Sequence, residues 1–147
     1  MAYLLDTNVV LHATREVSKV SQAIDAQFSL STSRFRPAIC EVSIGELYAF
    51  TRSQGWGDRR KTLLQEQIDN TLVIPISYPG IHVRWAEMSS ALRAEGETVG
   101  QNDIWIAATA SVAGFTLLTT DKDFLRVRRV CGLDARVLHD KTGLELT

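Results

Sequence analysis

Asn102-Asp103-Ile104-Trp105-Ile106-Ala107-Ala108-Thr109-Ala110-Ser111-Val112-Ala113-Gly114-Phe115-Thr116-Leu117-Leu118-Thr119-Thr120-Asp121 holds a helix, a stop and a strand. Only Thr109 and Ser111 interrupt the apolar residues between Ile104 and Ala113, and a helix apolar nearly all round belongs inside a core. Gly114 supplies the stop, and Phe115–Thr120 follows as a strand that ends at Asp121. Working outward, Ala2-Tyr3-Leu4-Leu5 is too short for a helix and apolar on successive residues, so it is expected to be a strand buried on both faces, ending at Asp6. Further strands are expected at Ala38–Cys40, Leu72–Ile76 and around Arg136–Leu138. Helices are expected at Asn8–Arg15, Ser18–Phe28, Glu41–Arg52, from Asp58 as cap through Ile68, over Ile81–Ala94 and near Phe124. Strands that alternate with helices predict an α/β fold in three layers, a central parallel sheet with helices on both faces.

The chain has 147 residues, with 45% apolar and 22% charged, which fits a single domain over residues 1–147 and excludes a largely disordered chain. No apolar run approaches a membrane span, and the opening Met-Ala-Tyr-Leu-Leu-Asp has no basic start, so a cytoplasmic protein is expected. Sixteen Lys and Arg against seventeen Asp and Glu give a net charge of −1. Bulk charge therefore does not mark a nucleic-acid binder, although a local arginine stripe or a bound metal would escape such a total. Cys40 and Cys131 lie among apolar neighbours without metal-ligand spacing and are read as reduced thiols.

Four acids adjoin hydrophobic structure. Asp6 and Asp121 end buried strands, at the sheet edge where open α/β folds bind ligands. Asp103 opens the most apolar helix, and Glu46 lies in a helix of mostly apolar residues. Each has a plainer explanation. Asn102 and Asp103 make an ordinary helix cap, Asp121 fits turn chemistry, and Glu46 fits a solvent face. Asp6 is the hardest to explain away, because a doubly covered strand seldom ends in Asp-Thr-Asn. If the four converge, their charges repel, and a hard divalent cation resolves the conflict. His12, His82 and His139 form no zinc-type pair, so the expected ion is Mg²⁺, with Mn²⁺ able to substitute. Phosphodiester hydrolysis is the reaction class that follows.

Leu4-Leu5-Asp6-Thr7-Asn8-Val9, Ser43-Ile44-Gly45-Glu46-Leu47, Asn102–Ala110 and Leu118-Thr119-Thr120-Asp121-Lys122-Asp123-Phe124 together resemble the four signature blocks of PIN-domain ribonucleases. Within that family the similarity is to the VapC-like toxins of bacterial type II toxin–antitoxin modules. The resemblance implies a five-stranded parallel sheet and a metal-dependent endoribonuclease site made of Asp6, Glu46, Asp103 and Asp121. Asp6 and Asp103 would be direct metal ligands, with Glu46 and Asp121 completing the site and orienting the attacking water. Thr119 matches a supporting hydroxyl position, and Asp123 stands close enough to share the role of Asp121. The resemblance further implies a transfer or ribosomal RNA substrate, a cognate antitoxin and a homodimer.

Two basic clusters bear on partners. Arg126, Arg128 and Arg129 follow the fourth acid and are candidates for RNA or antitoxin contact, against the plainer reading of a solvated helix face. Arg52, Arg59, Arg60 and Lys61 flank Gly55-Trp56-Gly57, where Trp56 is positioned to stack on a base; Trp56, Tyr48 and Phe50 are equally candidates for an antitoxin groove or for core. Two alternatives stand beside the nuclease. One is a PIN-like module that binds RNA or protein without cutting. The other is an aspartate-dependent phosphatase with Asp6 as nucleophile, against which Asn8 counts because that chemistry wants a second aspartate there.

Overall fold

The computed structural model describes residues 2–15 and 17–146. Five strands, β1 (Tyr3–Leu5), β2 (Ala38–Cys40), β3 (Leu72–Ile74), β4 (Thr116–Thr119) and β5 (Ala135–Val137), form one parallel sheet in the order β3-β2-β1-β4-β5. Tyr3, Leu4 and Leu5 pair with Thr116, Leu117 and Leu118, so the first strand and the strand of the decisive segment are central neighbours. The chain moves outward from β1 to β3 on one side and returns to β4 on the other. The order therefore reverses between β1 and β4, and their carboxyl ends flank the crevice that such a reversal opens.

Alternation along the central strands sorts the core into two halves. Leu4 and Leu117 point into one cluster with Met88, Ile106, Ala107 and Phe124, drawn from α5 (Ile81–Ala94), α6 (Gln101–Ala113) and α7 (Phe124–Cys131). Leu5 and Leu118 point into the other with Val10, Ile24, Leu47 and Leu64, drawn from α1 (Thr7–Ala13), α2 (Lys19–Phe28), α3 (Glu41–Ser53) and α4 (Asp58–Asp69). Both faces are covered, which is why these strands carry consecutive apolar residues. Gly114 ends α6 in the left-handed region at φ 71°, a conformation that favours glycine.

Most boundaries differ from expectation by a residue or two, and three of the differences have a local cause. β3 stops at Ile74, because Pro75 has no amide proton for a ladder and the Ile76 amide donates instead to Glu41 Oε1 at 2.6 Å. Gly57, not Asp58, is the cap of α4. Gly100 caps α6, so Asp103 lies inside its first turn and its carboxylate is not used as a cap. Both cysteines are free thiols, Cys40 fully buried and Cys131 partly so.

Candidate metal centre

Asp6 is where β1 leaves the sheet. Its amide still donates to Leu118 O at 3.0 Å, while its carboxylate already caps α1 by accepting the Thr7 amide on Oδ1 at 2.8 Å. Oδ2 accepts from the Thr119 hydroxyl at 2.6 Å and from Asn8 Nδ2 at 3.2 Å. The residue is only 3% exposed. Thr119 Oγ1 has one proton, given to Asp6, and its lone pair accepts the Asp121 amide at 2.9 Å. Asn8 Oδ1 accepts the Thr120 amide at 3.2 Å. These bonds tie the β1–α1 corner to the end of β4. Asp121 Oδ1 in turn accepts the Asp123 amide at 2.9 Å, a local turn that holds the two carboxylates together.

Glu46 reaches the same place from α3. Its Oε1 accepts from the Thr7 hydroxyl at 2.7 Å and its Oε2 from Asn102 Nδ2 at 3.4 Å. Asp103 faces it from α6. One carboxylate oxygen each from Asp103, Asp121 and Asp123 lies within 4.8 Å of the other two. Burial pushes the Asp103 carboxyl up to about 7, and the charges of Asp6, Asp121, Glu46 and Asp123 push in the same direction. Asp6 is raised to about 6, by burial first; its bonds from Thr119 and Thr7 oppose the rise, and the charges of Glu46 and Asp121 add to it.

The structure thus brings Asp6, Glu46, Asp103 and Asp121 to one crevice at the carboxyl edge of the sheet, with Asp123 beside them. The donor set is entirely oxygen, as a hard divalent cation requires, and the Asp103, Asp121 and Asp123 oxygens, mutually within 4.8 Å, are near enough to converge on one ion, while Asp6 and Glu46 lie outside that triad. A cation there would also relieve the repulsion that raises Asp103. The residues fit the ion.

The arginines after the fourth acid serve α7 first. Arg126 donates to Thr98 O at 3.0 Å and lies 3.4 Å from Asp123 Oδ1, and Arg129 meets Glu97 Oε1 at 2.5 Å. Arg128 donates to Ala135 O at 3.2 Å. Glu97, in the loop before α6, is the counter-ion that sequence reading missed. Arg126 and Arg129 keep exposed surface beside the site, whereas Arg128 is turned toward β5. The reading of Trp56 as a base-stacking surface is overturned. The indole is 8% exposed, packs in the core and is covered by the Arg60 guanidinium, 3.8 Å from the ring centroid. Of the three aromatics in that reading, Phe50, edge-on to Trp56, and Tyr48 stay at the surface. Thr7, Asn8 and Asn102, which hold the acids, also went unassigned; the signal was a polar Thr-Asn pair directly after a buried strand.

A parallel α/β sheet with an acid-lined crevice at its topological reversal places those acids where open α/β folds bind ligands. Comparison with known proteins goes further: the PIN domain profile matches residues 3–130, and the chain belongs to the PIN-domain family. Ribonuclease VapC2 of Haemophilus influenzae is 22% identical over 128 residues, spanning 86% of this chain and 92% of that protein. Ribonuclease VapC1 of the same species (strain R2866) is 26% identical over 133 residues, with the same coverage. Among solved structures, VapBC2 from Rickettsia felis bound to a promoter DNA fragment superposes with a TM-score of 0.77 at 22% identity, over 93% of this chain and 98% of that one. FitAcB from Neisseria gonorrhoeae gives 0.70 at 21% identity, over 90% and 95%.

Proposed function

We propose that this chain is a metal-dependent endoribonuclease, the toxin of a toxin–antitoxin pair, acting on transfer or ribosomal RNA in the cytoplasm. The observation that carries the reading is the gathering of Asp6, Glu46, Asp103 and Asp121 from four separate segments into one crevice, where burial first and mutual charge second raise the proton affinities of Asp6 and Asp103. Such crowding is unfavourable for a scaffold and useful to a cation site. Support comes also from the relatives named ribonucleases and from the toxin–antitoxin complexes among the similar structures, which suggest a protein antitoxin for this chain too. A homodimer belongs to the same reading.

Asp6, Asp103 and Asp121, with Asp123 at hand, would hold Mg²⁺ or Mn²⁺. When bound, the ion polarises a phosphoryl oxygen and acidifies water for in-line attack on phosphorus. The chain's own groups set the geometry. Asp6 is immobilised through both oxygens, Thr119 fixes Asp6 and Asp121 to each other, and Thr7 and Asn102 aim Glu46 across the crevice, where its half-exposed carboxylate can orient a water and take its proton. Arg126 and Arg129 stand at the rim for an RNA phosphate or an antitoxin's acidic group. A phosphatase acting through Asp6 fits less well, since a carboxylate buried and hydrogen-bonded on both oxygens is poorly placed to attack.

Incubation of the purified chain with a structured RNA tests the proposal. Cleavage is expected with Mg²⁺ or Mn²⁺, to stop with EDTA, and to fall by about 10²-fold or more in Asp103→Asn and Asp6→Asn. Cutting that survives EDTA, or a folded Asp103→Asn protein with full activity, would overturn it. RNA binding with neither calorimetric Mn²⁺ binding at the acid cluster nor cleavage would favour the non-cutting binding module instead.

A further inference from the structure

A cavity of about 300 Å³ opens between α1, the end of α3 and the start of α4; none of the acids lines it, and Asn8, bonded to Asp6, is its link to them. One wall begins at Asn8, whose amide group holds Asp6 and the Thr120 amide, and continues along α1 through His12 and Arg15. Phe50 and Gln54 of the α3 end and Arg60 of α4 face it. Arg15 and Arg60 have no carboxylate within ion-pair distance among the described residues. Two buried polar atoms without hydrogen-bond partners, Arg60 Nε and His12 Nδ1, belong to residues lining this cavity. Phe50 is 38% exposed and offers a ring at the cavity wall. The volume is at the lower end of small-ligand pockets, ~300–1,000 Å³, enough for one nucleotide and too small for a duplex.

We propose that this cavity is a subsite for one unpaired nucleotide of single-stranded RNA next to the scissile phosphodiester, a reading that rests on the ribonuclease assignment above. The base lies against Phe50, with the His12 and Gln54 side chains meeting its edge, and the phosphate lies on Arg15 and Arg60. Cations alone would suit an acidic peptide equally. A ring, two edge-reading polar groups and continuity with the carboxylate crevice through Asn8 suit an unstacked base, because single-stranded RNA is held by aromatic stacking combined with edge hydrogen bonds. The subsite also gives the net-acidic chain positive charge where a polyanion must approach its carboxylates.

Fluorescence anisotropy with a labelled RNA hairpin bearing a single-stranded loop tests this, using the cleavage-inert Asp103→Asn chain as parent over a salt series. Adding Phe50→Ala is expected to weaken binding by roughly 5- to 150-fold, the range for loss of one base–aromatic stack. Adding Arg15→Gln lowers the slope of log affinity against log salt by about 0.7, one phosphate contact on a single strand. Arg93→Gln, the same charge change on an exposed part of α5, has little effect. Binding that ignores Phe50→Ala and Arg15→Gln, or that falls equally with Arg93→Gln, overturns the proposal. So does loss of hexaglutamate binding with RNA binding intact, which would assign the cavity to a protein segment. Cleavage by the unmodified chain, measured alongside, separates the two readings. Cavity-dependent binding without cleavage sustains the subsite and removes the nuclease; cleavage with cavity-independent binding does the reverse.

Discussion

Replacing Asp6 with asparagine should make the metal-free protein more stable at neutral pH, although it removes a central residue of the candidate site. The Asp6 carboxyl is raised from 3.8 to about 6 by burial, so the folded chain holds its proton more tightly than the unfolded chain does. The stability this contributes is fully present below pH ~4 and is lost as pH rises through about 6. At ~1.4 kcal/mol per pH unit, the loss amounts to about 3 kcal/mol. Asparagine has no proton to lose. With Oδ1 keeping the Thr7 cap, its amide nitrogen takes the place of Oδ2 and must donate to Thr119 Oγ1, so the Thr119 hydroxyl proton loses its acceptor and Asn8 Nδ2 is met donor against donor, at a combined pH-independent cost of ~1 kcal/mol. Asp6→Asn should therefore be slightly less stable than the parent at pH 4 and about 2 kcal/mol more stable at pH 7.5, or roughly 4–8 °C in Tm for a chain of this size. Relief of Asp103, which feels the Asp6 charge, acts in the same direction. Urea denaturation of both proteins in EDTA between pH 4 and pH 8 measures the difference. Two curves that stay parallel across that range would show that Asp6 carries no buried charge penalty, and the electrostatic case for the site would be lost.

Other expectations follow from the same contacts. Mn²⁺ should raise Tm more at pH 8 than at pH 5, where Asp6 and Asp103 still hold protons against the ion; a thermal-shift titration reads this, and Asp103→Asn should abolish most of the gain. Thr119→Val keeps the shape of a fully buried side chain but removes the hydroxyl that bridges Asp6 and the Asp121 amide, so it should cost ~1–3 kcal/mol in urea and depress cleavage. Gly143→Ala should cost more than ~1 kcal/mol, because its φ is +73° and a Cβ would lie 2.6 Å from Val20 O; Mn²⁺ affinity by calorimetry should not change. Glu97→Gln breaks the exposed pairs with Arg126 and Arg129 and should shift stability by less than ~1 kcal/mol in the same urea assay.

Where the sequence was legible, one local pattern dominated. The β1 and β4 runs are apolar on consecutive residues because both faces are covered, and α6 is apolar nearly all round because it packs between the sheet and α5. Such segments declare their burial without tertiary information. The acids at strand ends could be found the same way, since charge abutting a buried run is costly unless used. What stayed hidden depends on who faces whom. Trp56 between glycines and arginines reads as an exposed platform, yet the turn after α3 folds it into the core and leaves Arg60 above it. The arginines of α7 look like a free basic face until Glu97, some thirty residues earlier, comes alongside. α6 starts one residue before the expected Asn102, because Gly100 caps as well as Asn102 and only backbone angles decide between them.

The Thr119–Asp6 bond joins residues 113 positions apart. During synthesis, Asp6 is made 113 residues before its hydroxyl partner and waits without it until β4 emerges. Pairing of such remote strands is among the slower steps of folding. Until β4 slides in beside β1, the acids carried by β1, α3 and α6 have no shared crevice, so the candidate site belongs to the assembled sheet and to no single segment.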